Sequence, residues 1–396
     1  MKGNYLIVQS GGPTSVINST LCGIIEEIRA MNSSGKLYGA KQGLYGLLHG
    51  DYVDLSDLSP QEAGRLKKTP GAALGTWRHK LTEEHFQTII NHMRAYDIRF
   101  LFYIGGNGSM YVADQLNRTA GMAGYPLSVV GIPKTIDNDI MHTHHTPGYG
   151  SAAKFIATCT LECGLDIQSL WGNNKITILE TMGRNTGWLA AASILARGEE
   201  DSVPHRVYIP ESPFSLERFL LDVQTSYETY GYALAVVSEG IRDDEGNIVG
   251  YSGEIDRVGR PGVGGVGSYL AAMIEQETPF ASRSVVPAIW QRTGMHVASG
   301  IDVKEAFQVG KAAVRSLKKG SSGSMISLNA PVEGSFTFGE VPLANVASHE
   351  RPFPLEWYDA ERSLIKAEFR EYALPLIQGE VELEMKNGLP RYQSIM

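Results

Sequence analysis

The chain has 396 residues, of which 43% are hydrophobic and 20% are charged. This composition is typical of a globular protein, and the length is enough for two or three domains. The formal net charge of −8 argues against a general nucleic-acid binder and against a protein of anionic membrane surfaces. An anionic small molecule is still compatible with this charge, because a few local basic residues are enough to bind it.

Cysteine content and hydropathy predict where the protein works. Only Cys22, Cys159 and Cys163 occur, and an odd, sparse set without a signal peptide predicts a reducing cytoplasm rather than a disulfide scaffold. No apolar run reaches about 18 residues, the length of a membrane-spanning helix, so we expect no membrane partner.

Short apolar runs alternate with helical patterns along the chain. Residues 5–8 indicate a buried strand, which a glycine turn joins to a helix over residues 16–31. Further strands are predicted at residues 100–104, 127–132, 175–180 and 233–238. Further helices are predicted at residues 82–96, 110–120, 151–161, 188–196 and 216–229. Alternation of this kind predicts a doubly wound α/β fold, with parallel sheets covered on both faces.

Two of the strand-to-helix turns have the composition of phosphate-binding loops. Gly11 and Gly12 follow the first strand, and Gly106, Gly108 and Ser109 follow the strand at 100–104. Glycine lets the backbone approach a phosphate closely, and a helix N-terminus offers N–H donors and a positive dipole end. A glycine pair in one such turn often serves packing alone, but two such loops in one sheet favour phosphate binding.

Residues 131–139 contain the largest group of side chains that could take part in catalysis. Lys134, Thr135, Asp137 and Asp139 follow the apolar run at 127–132, where ligands bind in open α/β sheets. Two carboxylates, a lysine and a hydroxyl supply a base, a metal ligand and an anion contact, which phosphoryl transfer to an alcohol requires. A solvated acidic turn has a similar composition and is the alternative for the isolated stretch.

Polar residues stand at several other loops and strand ends. They are Arg78 in a glycine-bearing loop, Met182, Gly183 and Arg184 after the strand at 175–180, Glu239 after the strand at 233–238, and Arg292 after an apolar run at 285–290, with Arg283 just before that run. This layout predicts a substrate cleft. His142, His144 and His145 suggest a metal by composition, but a flexible polar stretch makes ordinary loop histidines the default reading.

Taken together, these residues resemble the phosphofructokinase family, in particular its pyrophosphate-dependent branch. The resemblance runs from about residue 5 to residue 314. It implies two Rossmann-like halves with the active site in the cleft between them. Residues 1–150 with about 293–340 would bind the phosphoryl donor, residues 151–292 would bind the sugar phosphate, and residues 341–396 would be a C-terminal extension packed on the body.

Carried over by position, the resemblance implies catalytic roles for Lys134, Asp137 and Arg184. It implies sugar-phosphate contacts for Thr135, Asp139, Met182, Gly183, Glu239, Arg283, Arg292 and Lys175. It implies donor contacts for Gly12, Arg78, Gly106, Gly108 and Ser109. It implies Mg²⁺ as cofactor, held by Asn107, Asp137 and Asp139. Arg283 and Lys175 match residues that reach a neighbouring subunit's site, so a homodimer or homotetramer is expected.

The residues differ in the phosphoryl donor they favour. Lys134, Asn107 and Val112 resemble the pyrophosphate users, whereas Gly108 resembles the ATP users because it leaves room that an aspartate fills in the pyrophosphate branch. The balance favours pyrophosphate as donor and fructose 6-phosphate as acceptor. An ATP-dependent 6-phosphofructokinase is the alternative.

The acceptor is less closely specified than the chemistry. Ile289, Ala288 and Val286 stand where relatives often carry polar residues near the sugar phosphate, so a kinase of another sugar phosphate stays open. An inactive paralogue that binds sugar phosphate or nucleotide is a second alternative. A nicotinamide oxidoreductase would need a G-x-G-x-x-G fingerprint after the first strand, and the sequence lacks it there.

Overall fold

A computed structural model describes residues 2–170, 176–198, 202–250, 253, 262–330, 336–347 and 349–395. Lys175, one of the predicted sugar-phosphate contacts, lies outside the described residues. The chain divides into two compact units. Unit 1 contains Met1–Ser151, Arg292–Arg351 and Gly379–Met396, and unit 2 contains Ala152–Gln291 and Pro352–Gln378. Residues 341–396, which the sequence suggests as one appended segment, are therefore divided between the two units.

The described residues contain fifteen strands. They are β1 (Asn4–Gln9), β2 (Leu37–Ala40), β3 (Tyr52–Asp54), β4 (Ile98–Gly105), β5 (Ser128–Pro133), β6 (Ile176–Thr181), β7 (Arg206–Tyr208), β8 (Ala233–Ser238), β9 (Ser282–Val285), β10 (Ser324–Leu328), β11 (Phe338–Pro342), β12 (Tyr358–Asp359), β13 (Leu364–Ile365), β14 (Met385–Lys386) and β15 (Leu389–Pro390).

The helices follow the same order. They are α1 (Ile17–Ala30), α2 (Leu44–His49), α3 (Pro60–Leu66), α4 (Glu83–Ala95), α5 (Asn107–Met122), α6 (Tyr149–Ser169), α7 (Trp188–Ala192), α8 (Leu216–Tyr230), α9 (Val266–Glu277), α10 (Trp290–Thr293), α11 (Gly300–Lys318), α12 (Leu343–Val346) and α13 (Ala367–Ala373). Short 3₁₀ helices cover Ser193–Ala196, Met295–Val297, Leu355–Trp357 and Leu374–Ile377. Within the described residues, no helix combines the length and the apolar character needed to cross a membrane.

Unit 1 is built on a seven-stranded sheet in the order β11-β10-β5-β4-β1-β2-β3. The central strands are parallel, and β11 and β3 pair antiparallel at the two edges. Apolar side chains fill both faces of the sheet, with one buried cluster on each. Helices that cover both faces explain why β4 and β5 are continuous apolar runs rather than alternating ones. This confirms the predicted doubly wound α/β class.

The register of the unit 1 sheet brings three loops to one edge. Gln9 at the end of β1 pairs with Ile104, and Gly105 at the end of β4 pairs with Pro133 at the end of β5. The segments that follow these three strands therefore leave the sheet side by side. They are the two glycine loops and the acidic loop for which the sequence predicts ligand binding.

Unit 2 contains a four-stranded parallel sheet in the order β7-β8-β6-β9. Thr181 at the end of β6 pairs with Ser238 at the end of β8, so the loops that begin at Met182 and Glu239 are neighbours. The C-terminal residues of unit 2 pack on the start of α7. There, aromatic rings surround Trp188; they belong to Phe353, Trp357, Phe369 and Tyr372.

Helices α1 and α11 cross at backbone contact in unit 1. A Cβ atom on Gly23 would clash with the carbonyl group of Phe307, and one on Gly310 would clash with the carbonyl oxygen of Thr20. Two glycines that face each other across the crossing let the helices approach more closely than larger residues allow. This contact joins the first helix of the chain to a helix nearly 300 residues later.

Candidate active site

Lys134 is a buried cation at the end of β5. Only 2% of the residue is exposed, and its Nζ donates a hydrogen bond to the carbonyl oxygen of Gly12 at 2.7 Å. Burial lowers the pKa of Lys134 to about 7, the field of Asp137 opposes this shift, and Arg78 and Arg292 add to it. The side chain is therefore poised between its ammonium and amine forms near neutral pH, and an anion beside it would favour the ammonium.

Two cationic side chains lie beside the first glycine turn. Gly11 has φ of +79°, which favours glycine, and a Cβ atom there would lie 3.1 Å from Lys134 Nζ. A Cβ atom on Gly12 would lie 3.3 Å from Nη1 of Arg292. The turn thus exposes bare backbone beside a lysine and an arginine, an arrangement that suits a phosphate.

Asp137 and Asp139 flank a backbone turn centred on Asn138. Asn138 is fully buried with φ of +54°, and its Oδ1 accepts a hydrogen bond from the Thr146 N–H at 3.1 Å. The Thr135 hydroxyl accepts a hydrogen bond from the Asp137 N–H at 3.1 Å. Asparagine tolerates the left-handed region better than most residues, so the turn presents the carboxylates on either side of it.

The two carboxylates carry raised pKa values. Burial raises the pKa of Asp137, and the Thr135 hydroxyl and Lys134 oppose the shift. The pKa of Asp139 is raised to about 7 by burial, by the charge of Asp137 and by Glu350. Burial therefore disfavours the charged form of both carboxylates, and at Asp139 the neighbouring carboxylates add to this effect. A cation or a transferred proton would relieve it.

Asn107, the first residue of α5, completes a candidate magnesium site. Its Nδ2 donates to Oδ2 of Asp139 at 2.9 Å, while its Oδ1 is buried and has no hydrogen-bond partner among the described residues. A buried carbonyl oxygen without a donor is a ready cation ligand. Mg²⁺ commonly takes one or two carboxylates and fills its other positions with water and substrate phosphate, so Asn107, Asp137 and Asp139 fit it.

The second glycine loop leads into α5. Gly106 is the N-cap in an extended conformation, and the Ser109 hydroxyl donates to Oγ of Ser10 in the loop after β1 at 3.0 Å. A Cβ atom on Gly108 would meet no atom of the described part of the chain within 4 Å. The N-terminus of α5 thus lies beside the first glycine turn, with open space at residue 108.

Arg78 and Arg292 add two positive charges to this cluster in unit 1. Arg78 is exposed, and its field acts on both Lys134 and Asp137. Arg292 is half-buried, and its carbonyl oxygen accepts a hydrogen bond from the Ser15 hydroxyl at 3.3 Å. The resemblance assigns Arg292 to the sugar phosphate, and the structure places its guanidinium beside the first glycine turn.

Unit 2 holds a second cluster at the ends of β6 and β8. The Met182 N–H donates to Oε1 of the buried Gln291 at 2.9 Å, and the Gly183 N–H donates to Oε1 of Glu239 at 3.4 Å. Gly183 has φ of +133°, and a Cβ atom there would lie 2.5 Å from the Thr186 carbonyl oxygen. A glycine is therefore required at this turn.

Arg184 belongs to the same turn. A Cβ atom on Gly240 would clash with the backbone of Arg184, so the loops after β6 and β8 touch through main-chain atoms. Met182, Gly183, Arg184 and Glu239 are thus brought together as the sequence predicts, next to Gln291. Gln291 directly precedes Arg292 in the sequence but is not among the contacts that the resemblance implies.

Arg283 is not part of that cluster. It lies in β9 opposite Thr177, near the start of β6, and its Nε donates to the Thr177 hydroxyl at 3.1 Å. A second contact joins its guanidinium to Asp166. The position is roughly 17 Å along the strand from Met182, at 3.3 Å per residue.

The apolar run at 285–290 is not the strand end that the sequence suggests. The strand β9 stops at Val285, and Ile289 and Trp290 are 56% and 65% exposed. Composition alone does not distinguish such an exposed stretch from a short buried strand.

Glu350 lies beside the acidic turn and was not anticipated from the sequence. Glu350 forms an antiparallel bridge with Ile140, and its charge raises the pKa values of both Asp137 and Asp139. His145 shares a hydrogen bond of 2.7 Å between its Nε2 and Oε2 of Glu305, and burial lowers the pKa of His145 to about 4. The histidine is thus neutral near pH 7 and serves as a buried partner of Glu305.

These features define a doubly wound α/β protein with phosphate-type loops, a buried lysine and a carboxylate pair at the strand ends of unit 1. The phosphofructokinase family model matches residues 4–317, and the chain belongs to that family. This confirms the resemblance stated from the sequence.

The chain is similar to named phosphotransferases over most of its length. A pyrophosphate–fructose 6-phosphate 1-phosphotransferase of Halomonas elongata is 38% identical over 98% of this chain and 95% of the relative. A sulfofructose kinase of Alkalicoccus urumqiensis is 34% identical over 82% of each chain. The crystal structure of a pyrophosphate-dependent phosphofructokinase from Marinobacter aquaeolei superposes with a TM-score of 0.90 at 36% identity, over 99% of this chain and 96% of that one.

Proposed function

We propose that the protein transfers a phosphoryl group from pyrophosphate to the 1-hydroxyl of fructose 6-phosphate. The products are fructose 1,6-bisphosphate and phosphate, and the reaction is reversible because pyrophosphate is a weaker phosphoryl donor than ATP. The full-length relatives named for this reaction support the proposal. The proposal includes that the protein acts in glycolysis and in the cytoplasm.

The observation that carries the donor assignment is the position of Lys134. Its buried ammonium group contacts the backbone of the first glycine turn and lies in the field of Arg78, Arg292 and Asp137. A compact point charge there suits a small, highly charged donor such as pyrophosphate. The N-terminus of α5, with Gly106, Gly108 and Ser109, offers backbone donors to the same group.

Asp137 acts as the general base in this proposal. As the sugar hydroxyl oxygen forms a bond to the terminal phosphorus of pyrophosphate, the bridging P–O bond breaks and phosphate leaves. Asp137 takes the hydroxyl proton during this step. Its raised pKa brings its basicity nearer to the pH at which the reaction runs, which favours proton transfer.

Asn107, Asp137 and Asp139 would hold Mg²⁺. The bound ion supplies charge neutralisation for the phosphate oxygens. Lys134 and the two arginines Arg78 and Arg292 add to this from the protein, because donor and acceptor bring several negative charges together.

The sugar phosphate would bind to the cluster in unit 2. Arg184 supplies a cation for its phosphate, Glu239 accepts hydrogen bonds from sugar hydroxyls, and Met182 and Gly183 position the turn. Thr135 and Asp139 contact the sugar near the transferred group. Arg283 and Lys175 would serve the site of a second copy in a homodimer or homotetramer, and the location of Arg283 near the start of β6 supports this.

A matrix of donors and acceptors tests the proposal. Purified protein with Mg²⁺ is assayed with pyrophosphate or ATP against fructose 6-phosphate and other sugar phosphates. Fructose 1,6-bisphosphate formed from pyrophosphate is the expected product. Turnover with ATP alone would refute the donor assignment, and absence of turnover with every pair would favour an inactive paralogue.

A different acceptor is the second candidate. Val286 and Ile289, shortly before Arg292 in the sequence, are 46% and 56% exposed and stand where relatives often carry polar partners for a sugar phosphate. The sulfofructose kinase among the relatives is named for an acceptor with another anionic group. Higher kcat/KM with such a sugar than with fructose 6-phosphate would establish this candidate in place of the first.

A further inference from the structure

Residues 135–148 form a closed loop that carries the acidic turn. An isolated parallel bridge joins Thr135 to Gly148 at its neck, and the Thr146 hydroxyl donates to the Thr135 carbonyl oxygen at 2.9 Å. Beyond the neck, the His144 N–H donates to the carbonyl oxygen of Leu328 at the end of β10 at 2.8 Å. These bonds fix the neck and one side of the loop, and at the turn itself the Thr146 N–H holds the side chain of Asn138 through its Oδ1.

The guanidinium of Arg351 spans the turn and the opposite side of the loop. Its Nε and Nη2 donate to the Asn138 carbonyl oxygen at 3.1 Å and 2.7 Å. Its Nη1 donates to the carbonyl oxygens of Thr143 and His144, each at 2.8 Å. The Arg351 backbone N–H also donates to the Asp139 carbonyl oxygen at 2.7 Å. One residue therefore binds both the centre of the acidic turn and the segment that faces it.

These contacts bear on the two carboxylates because Asn138 lies between them. Asn138 has φ of +54°, a conformation that persists only where the surroundings hold it. Rotation of the peptide after Asn138 would redirect the Asp139 side chain and the Asn107 contact to it. Two hydrogen bonds to the Asn138 carbonyl oxygen hold that peptide in one orientation.

We propose that Arg351 is a positioning residue that orients Asp137 and Asp139 for phosphoryl transfer. Its planar fork reaches carbonyl groups on both sides of the loop, and a lysine offers donors from a single nitrogen and does not span them. Arg351 acts on the backbone geometry of the loop, because these four side-chain bonds go to backbone carbonyl groups. The proposal rests on the proposed function for its kinetic consequence.

Steady-state kinetics of Arg351→Ala test the proposal. We expect kcat to fall about 100-fold, as for a misplacement of about 1 Å at the reacting groups, while KM for both substrates stays within about threefold. Guanidinium ion at non-denaturing concentration should restore part of kcat in Arg351→Ala. Arg351→Lys should stay impaired. An unchanged kcat in Arg351→Ala, or full activity in Arg351→Lys, would overturn the proposal.

Arg370→Ala is the matched control. Arg370 also donates to three backbone carbonyl groups, those of Ile194, Leu195 and Arg197, in unit 2. Its loss should lower the melting temperature with little change in kcat. Equal kcat losses in Arg351→Ala and Arg370→Ala, tracking equal losses of stability, would reduce Arg351 to a structural residue and overturn the proposal.

Hydrogen exchange separates this proposal from the proposed function. If the wild-type protein shows no turnover with any donor and acceptor, the proposed function fails, yet amide exchange in residues 136–146 is still measurable. Arg351→Ala, or Arg351→Gln if the alanine variant does not fold, should exchange faster in that segment. Exchange equal to that of the wild type would contradict the role of Arg351.

Discussion

The surroundings of Lys134 disfavour the charged form of its side chain. Burial alone would favour the neutral amine, while Asp137 and the approach of an anionic donor favour the ammonium. The residue therefore couples binding of a phosphate to uptake of a proton. The direction in which pH changes the affinity for pyrophosphate can therefore be predicted and measured.

The affinity for pyrophosphate should fall as pH rises above about 7. The free protein holds Lys134 with a pKa of about 7, so above this pH binding must first protonate the amine. The apparent affinity then decreases by up to about tenfold per pH unit until the pKa of the bound state is reached. Calorimetry in buffers of different ionisation enthalpy measures the proton uptake.

Lys134→Met is the control for this dependence, because it keeps the ionisations of pyrophosphate and removes that of the lysine. A wild-type profile that runs parallel to that of Lys134→Met between pH 7 and 9 would show that Lys134 does not titrate on binding.

Gly108→Asp tests the donor preference at a single position. The Cβ atom meets open space, so the variant should fold normally. A carboxylate there repels the phosphates of a bulkier nucleotide and fills the room it would occupy, so any turnover with ATP should fall at least about tenfold relative to turnover with pyrophosphate. The ratio of the two kcat/KM values measures this. A ratio that stays constant would show that residue 108 does not contribute to donor choice.

At the scale of elements, continuous apolar strands were the features the sequence predicted best. The strands predicted at 5–8, 100–104 and 127–132 correspond to β1, β4 and β5, and the loops after them meet at one edge. Long apolar runs bounded by glycine carry a strong local signal. The prediction of the fold class followed from them.

Elements without such a signal were not predicted. The strands β2 and β3 span only four and three residues, and their segment lacks a clear period. Arg351 lies in an irregular segment far along the chain from Asn138, and a contact over that separation leaves no local pattern. The acidic loop could therefore be predicted from the sequence, and the arginine that holds it could not.

The crossing of α1 and α11 should be intolerant of side chains. Gly23→Ala places a Cβ atom against the Phe307 carbonyl group and should lower the free energy of unfolding by about 1–3 kcal/mol. Denaturant titration measures this change. Gly121→Ala near the end of α5 is the matched control, since nothing lies within 4 Å of its Cβ position. That control should be neutral or stabilising by about 0.5–1 kcal/mol, and equal destabilisation of both variants would contradict the close crossing.

At the scale of the whole molecule, we propose that each site is completed by a second copy of the chain. Arg283 lies near the start of β6, whereas Met182 follows its other end, so one chain does not bring the two together within unit 2. If Arg283 serves a neighbouring copy, Arg283→Ala and Asp137→Asn should each be inactive alone. Mixed dimers would then contain one intact site.

Coexpression of the two variants in equal amounts tests this arrangement. Random pairing in a symmetric dimer should restore about a quarter of wild-type activity, because half of the dimers are mixed and each holds one complete site. Size-exclusion chromatography confirms the assembly. Activity no greater than the sum of the separate variants would show that each site is built from one chain.

The most direct test of the central claim is the initial rate of fructose 1,6-bisphosphate formation from pyrophosphate and fructose 6-phosphate with Mg²⁺, in the wild type and in Asp137→Asn. The proposal predicts turnover in the wild type and a loss of about 10²–10⁴-fold in kcat in the variant, with KM nearly unchanged, because a general base acts in the transition state. Asp114→Asn is the matched control: its buried carboxylate pairs with Arg118 within α5, and it should keep its activity. Wild-type protein that forms no bisphosphate from pyrophosphate, or an Asp137→Asn variant as active as the wild type, would contradict the proposed reaction.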